Sequence, residues 1–267
     1  MSLKMTIGND SNGGAVELDL VQLQHVLIGG TTGAGKSVCI KMIMSDLMKD
    51  HTPDNLKFVV YDEKCVEFAH LKDSPYWLKP VITETTNFRK TLEELKLIVE
   101  ERYQMFRQLG VEDFDSYIAL KCETKSECLP RIVVVADECA GFMLECGEEA
   151  AGILAFLLSE AHTVGIHFVL ATARAVDCGL LADLIARISP RIVFRVVSSQ
   201  DSMRFLNQEG AERLKGNGEF IFRGPDGATR RGQCRYISDE DFDRQVNDVV
   251  EFQPKESDSR RQADGSR

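Results

Sequence analysis

Short unbroken apolar runs separate longer stretches in which apolar residues recur every third or fourth position. His25-Val26-Leu27-Ile28-Gly29, Phe58-Val59-Val60-Tyr61, Ile132-Val133-Val134-Val135-Ala136, Phe168-Val169-Leu170-Ala171 and Ile192-Val193-Phe194-Arg195-Val196-Val197 read as strands, most of them covered on both faces. Between them, Phe88, Leu92, Leu95, Val99, Tyr103 and Phe106 share one face of a helix over 88–109, capped by Asn87 or Thr86 and ended by Gly110. Helices are also predicted from Val38, over 150–164 and over 180–188, and Ser238-Asp239-Glu240 caps a final one. A glycine- and asparagine-rich turn at 8–14 precedes an alternating strand at 16–20, and the strands 219–223 and 232–237 form a hairpin around Gly224-Pro225-Asp226-Gly227. Strands alternating with helices predict a doubly wound α/β domain, a mostly parallel sheet flanked by helices with a C-terminal β-hairpin. The expected organisation is an added leader at 1–4, one domain over 5–252 and a polar, disordered tail at 253–267.

One turn in this pattern carries chemistry. Gly30-Thr31-Thr32-Gly33-Ala34-Gly35-Lys36-Ser37 matches the phosphate-loop pattern G-x-x-x-x-G-K-[ST], follows a strand and opens a helix at Val38. In that setting the glycines let backbone N–H groups converge on a phosphate at the positive end of the new helix. Lys36 reaches the β- and γ-phosphates, and Ser37 ligates Mg²⁺. The run ending Ala136-Asp137-Glu138 supplies the partner half, because ligands bind at the carboxyl ends of parallel strands. Asp137 is expected to hold Mg²⁺ opposite Ser37, and Glu138 to orient and polarise the water that attacks the γ-phosphate. Thr172 ends the next strand and is placed to sense the γ-phosphate, with Arg174 two residues on to pass that signal to a neighbour.

Composition narrows the classes. With 267 residues and 43% hydrophobic content, the chain supports one sizeable domain, and a net charge of −10 argues against coating nucleic acid over the whole surface. A local basic surface remains open: Arg187, Arg191, Arg195, Arg204, Arg213, Lys215, Arg223, Arg230, Arg231 and Arg235 gather in one stretch, and a solvated mixed-charge surface is the alternative. The eight cysteines fall at no zinc-finger spacing and read as thiols in a reducing cytosol. His162 and His167 read as structural. No apolar run reaches the roughly 18 residues of a membrane span.

Together these stretches resemble the motor domain of the FtsK/SpoIIIE family of DNA-pumping ATPases, over nearly the whole chain. The resemblance rests on 25–38, Val59-Val60-Tyr61-Asp62-Glu63-Lys64, Leu129 to Glu138, Gly165-Ile166-His167 with the strand after it, Pro190-Arg191-Ile192-Val193-Phe194-Arg195-Val196 and Gly210-Ala211-Glu212-Arg213-Leu214. It implies a RecA-like fold, ATP and Mg²⁺ as ligands, a homo-oligomeric ring, usually of six subunits, and movement of double-stranded DNA through its pore. It further implies a site completed by a neighbour's arginine, for which Arg191 and Arg174 are the matching positions. The family's Ala-Thr-Gln-Arg-Pro is here Ala171-Thr172-Ala173-Arg174-Ala175, and the lost glutamine implies weakened activity. The family's Asp-Pro-Lys is here Asp62-Glu63-Lys64. Full-length members carry membrane helices upstream, so the expected location is the cytoplasm, with tethering to the membrane through other regions. A divergent, isolated motor of this kind resembles those of mobile elements. Two other readings stand beside DNA translocation: a type VII-like protein-secretion ATPase, and a non-hydrolysing regulatory module.

Overall fold

The structure is a computed structural model and describes residues 2–71, 74–124, 126–173 and 180–251. In chain order the elements are β1 (Lys4–Asp10), β2 (Ala15–Asp19), α1 (Leu20–Leu23), β3 (His25–Gly29), α2 (Lys36–Asp50), β4 (Leu56–Asp62), α3 (Thr85–Leu109), α4 (Phe114–Thr124), β5 (Arg131–Asp137), α5 (Cys139–Glu160), β6 (Ile166–Thr172), α6 (Leu180–Arg187), β7 (Arg191–Phe194), α7 (Ser199–Leu206), β8 (Glu219–Arg223), β9 (Thr229–Cys234) and α8 (Asp239–Glu251). The sheet order is β2-β1-β9-β8-β7-β3-β6-β5-β4. Strands β4, β5, β6, β3 and β7 run parallel, and the remaining four are antiparallel. The predicted hairpin is therefore the bridge by which the N-terminal strands join the sheet.

Period-two alternation within the parallel strands feeds two cores. Val59, Tyr61, Val134 and Ala136 point to the face covered by α3, α4, α5 and α7, while Phe58, Val60, Val133 and Val135 point to the face covered by α2 and α8. Tyr61 stacks on Phe88 of α3 at 4.2 Å between ring centres, and Phe142 of α5 meets both edge-on.

Several expected boundaries move, each for a local reason. Leu3 and Lys4 belong to the fold: Leu3 is fully buried and its amide donates to Asp19 Oδ1 at 3.0 Å. The 8–14 segment is half strand, since β1 runs to Asp10 and only then turns, with Asp10 Oδ1 accepting from the amides of Asn12 and Gly14. Gly8 is needed inside that strand because a Cβ there would lie 2.7 Å from the carbonyl carbon of Gln233. Helix α3 starts at Thr85 after Glu84, which makes no side-chain cap bond, so Thr86 and Asn87 lie in the first turn rather than at the cap. Gly110 ends it in the left-handed conformation, as expected (φ 70°). Helix α5 begins at Cys139, ahead of the predicted start at Ala150, and is interrupted at Gly147 (φ 67°, ψ −161°). Strand β9 comes earlier than expected, and α4 and α7 arise where no helix was predicted. The 253–267 tail and Arg174 lie outside the described residues.

At the amino ends of the parallel strands, His162 and His167 pack beside the buried His25, and Arg131 contacts His167. His25 Nδ1 accepts from the Phe168 amide at 3.0 Å while Nε2 donates to Leu158 O, and His167 Nδ1 donates to Gln24 O at 2.8 Å. Both imidazoles are locked neutral. Desolvation, reinforced by His162 at His25 and by Arg131 at His167, pushes each pKa down to about 3. The unfolded chain takes up these protons near 6.5, so the stabilisation is complete above that value and is lost as pH falls towards 3. Each histidine then removes about 1.4 kcal/mol per pH unit below 6.5. Urea unfolding midpoints are expected to drop steeply between pH 6.5 and 5, and a His167→Gln variant is expected to show a shallower acid slope.

Candidate active site

The turn from β3 into α2 is shaped by backbone that only glycine adopts cheaply. Gly30, Gly33 and Gly35 have φ of 143°, 76° and 120°. Gly35 also lies against Gly218, whose Cα would be 3.1 Å from a Cβ at 35, and Gly218 N donates to Ala34 O. On the other side, both Thr31 N and Thr31 Oγ1 donate to Arg195 O, at 2.9 and 3.1 Å. This contact ends β7 at Phe194, three residues earlier than its apolar run predicts, because the carbonyl of Arg195 leaves the ladder to hold the loop.

Lys36 is 8% exposed, and its Nζ donates to the carbonyls of Gly30 and Thr31 at 2.9 and 3.2 Å. Desolvation lowers its pKa; the charges of Glu138 and Asp137 oppose the shift and that of Lys64 adds to it. Ser37 Oγ donates to Asp137 Oδ2 at 2.9 Å across 100 residues of sequence. Burial raises the Asp137 pKa, with the Ser37 hydrogen bond pulling the other way.

Glu138 departs from ordinary backbone, at φ 87° and ψ 79° between β5 and α5. That conformation is held by its side chain: Oε1 accepts from Thr172 Oγ1 at 2.9 Å and Oε2 from the Ala173 amide at 2.8 Å. The structure thus joins Lys36, Ser37, Asp137, Glu138 and Thr172 at the carboxyl ends of three adjacent strands. A cavity of about 400 Å³ opens between them, lined by Thr32, Gly33, Gly35, Lys36, Ser37, Val38, Lys64, Val66, Glu67, Asp137 and Glu138. Gly30, Thr31 and Ala34 serve it from behind, as loop backbone.

Arg191 is not brought there. It is 4% exposed on β7, and its guanidinium donates to the carbonyls of Ile188 and Phe205 at 2.9 and 2.7 Å. Burial, with Arg223 nearby, lowers its pKa to about 10. Completing a neighbour's site requires an exposure that this placement does not give. Arg191→Ala is expected to destabilise the fold by about 3 kcal/mol, since it strands buried carbonyls; thermal denaturation measures it.

The basic stretch is also partly neutralised within the chain. Arg204 pairs with Asp201, Arg213 with Glu209 and Glu212, Arg231 with Glu219, and Arg235 with Asp46. Arg187, Arg195 and Arg230 are exposed.

Residues beyond the phosphate loop and the two acids were harder to find. Asp62 is 1% exposed at the end of β4, in register with Asp137, and its Oδ2 accepts from the amides of Glu67, Phe68 and Ala69. Lys41 is buried in α2 and bridges Glu67 at 2.6 Å and Asp239 at 2.7 Å. Although desolvation lowers the Lys41 pKa, the two carboxylates leave it raised overall. The only sequence signal for this wall was Asp62-Glu63-Lys64 itself.

A hydroxyl and a carboxylate oxygen within hydrogen-bond distance suit a hard cation with oxygen ligands. Among the described residues no three His, Cys, Asp or Glu side chains converge on a metal position. Also among the described residues, no helix is long and apolar enough to cross a membrane.

Comparison with known proteins agrees with this geometry. The FtsK/SpoIIIE family model matches residues 1–177. A DNA translocase FtsK of Streptococcus pyogenes is 35% identical over 254 residues, covering 92% of this chain and 32% of that protein. The chain thus spans about a third of the curated relatives it matches. Among solved structures, the cytoplasmic domain of the type VII secretion ATPase EccC of Thermomonospora curvata superposes with a TM-score of 0.79 at 24% identity, covering 92% of this chain and 31% of that one. The pCW3 conjugation coupling protein TcpA with ATPγS gives the same TM-score and identity, covering 94% and 70%. At that identity the two structures speak for the fold alone, a P-loop ATPase fold.

Proposed function

Since the chain belongs to the FtsK/SpoIIIE family, we propose that it is an ATP-hydrolysing motor domain that moves double-stranded DNA, in DNA transfer by a mobile element. The observation that carries the hydrolytic half is Glu138, a carboxylate fixed on both oxygens beside the phosphate loop. A group held in this way is pre-organised to orient a water and accept its proton, and pays no reorganisation at the moment of reaction. The phosphate-loop amides and Lys36 bind the triphosphate, and Thr172 fixes the base. Ser37 and Asp137 would hold Mg²⁺, which supplies charge neutralisation at the phosphate oxygens. Ala173, at the sequence position of the family's glutamine, presents its backbone amide to Glu138, and that contact orients the base.

The DNA half rests on the names of the relatives and on the exposed arginines of the 187–235 stretch, which suit phosphates read without sequence. In the proposed homo-oligomeric ring, six subunits round the duplex, this stretch would face the pore. The likeness to EccC shows only that a protein-secretion ATPase shares this fold. Fluorescence anisotropy with labelled duplex DNA and with labelled signal peptides separates the two. The expected result is salt-sensitive, sequence-tolerant duplex binding. Peptide binding with no duplex binding would favour secretion.

A further inference from the structure

The loop after β4 brings a second lysine into the nucleotide cavity and is built to hold it there. Lys64 lines the cavity with Lys36, Ser37, Asp137 and Glu138. It enters from the side of the hydrolytic acids, because Asp62, two residues before it, is in register with Asp137. Three anchors fix its position. The Asp62 carboxylate gathers the amides of Glu67, Phe68 and Ala69, so the loop wraps around a buried acid. Glu67 is tied to the buried Lys41. Cys65 takes a left-handed φ of 54°, which bends the chain sharply just after Lys64.

A fourth contact comes from Glu63. Its carboxylate lies on the first turn of α5, filling the space a side chain at Gly141 would occupy: a Cβ there would be 2.7 Å from Glu63 Cδ. A carboxylate at a helix N-terminus is favourable, and this helix is the one that Glu138 caps. Glu63 therefore ties the loop bearing Lys64 to the backbone bearing the hydrolytic acid.

We propose that Lys64 is a second phosphate-binding cation of this site, contacting the terminal phosphate of a nucleoside triphosphate, with Glu63 docked on Gly141 as its positioning residue. The inference rests on the ATP reading above. Two lysines lining one cavity suit a polyanion in contact with both. The phosphate loop takes the inner phosphates, and Lys64 faces the outer one beside Glu138. Lys64 then discriminates triphosphate from diphosphate, and through Glu63 its position follows that of the helix α5 start.

Equilibrium titrations with a non-hydrolysable ATP analogue and with ADP, each with Mg²⁺, test this on the full chain. Lys64→Gln is expected to weaken analogue binding about tenfold or more, as for loss of a charge-assisted contact, with ADP affinity changed less than about threefold. Gly141→Ala sits at a helical position where alanine favours the fold, and it displaces the Glu63 side chain. It is expected to show the same selective loss in smaller measure, as is Glu63→Gln, with unfolding midpoints no lower than the parent's for Gly141→Ala. Unchanged analogue binding in Lys64→Gln, or equal losses for analogue and ADP, overturns the assignment. A parent that binds neither nucleotide overturns the ATP reading instead.

Discussion

Glu138→Gln is expected to bind ATP as the parent does and to hydrolyse it roughly two orders of magnitude more slowly or worse, the scale of a lost general base. The substitution is nearly isosteric, and the site can accept it. The Ala173 amide still needs an acceptor, which the carboxamide oxygen supplies, while the Thr172 hydroxyl can rotate to accept from the new NH₂ group. The left-handed backbone at residue 138 therefore keeps its support, and what disappears is the capacity to take a proton. Tight binding of labelled ATP combined with near-background phosphate release is the expected signature. Normal hydrolysis by this variant would mean that another group activates the water.

Lys36→Ala is expected to bring nucleotide binding and turnover to background. Lys36 supplies a buried positive charge, held by two loop carbonyls at a point facing both site carboxylates. At so buried a position such a charge acts on phosphate oxygens more strongly than it would in bulk solvent. The phosphate loop is expected to lose the support that Lys36 gives the Gly30 and Thr31 carbonyls, while the two cores on either side of the sheet keep the fold. Circular dichroism and labelled-ATP titration on the same sample separate site loss from unfolding. Parent-like turnover would sink the placement of the triphosphate on this loop.

Much of this architecture was legible in the sequence where a motif is contiguous. The phosphate loop needs one strand, one turn and one helix start, and Asp137 and Glu138 sit at the end of an aliphatic run that reads as a strand covered on both faces. Strand β1 was hidden because Gly8, Asn9 and Asp10 are turn formers that here continue a strand, as pairing of Gly8 with Cys234 shows. Tertiary contact outweighed local preference at that point. Charged residues in the core were illegible for a related reason. Arg191 and Lys41 read as surface residues until partners distant in sequence, Phe205 and Asp239, are brought to them by the fold. The same holds for Glu63, whose place depends on the missing side chain of Gly141, 78 residues away by subtraction of the two positions. Family resemblance suggested Arg191 for a neighbour's site, yet a motif match says nothing about which way a side chain points.

The proposed function joins a phosphate-loop ATPase site to an engine acting on duplex DNA. Steady-state ATP turnover by the purified chain, with Mg²⁺ and increasing duplex DNA at low and physiological salt, tests it most directly. The predicted result is turnover that rises with DNA regardless of its sequence, falls back at higher salt and is absent in Glu138→Gln. ATP turnover that is indifferent to duplex DNA at both salt concentrations would contradict it.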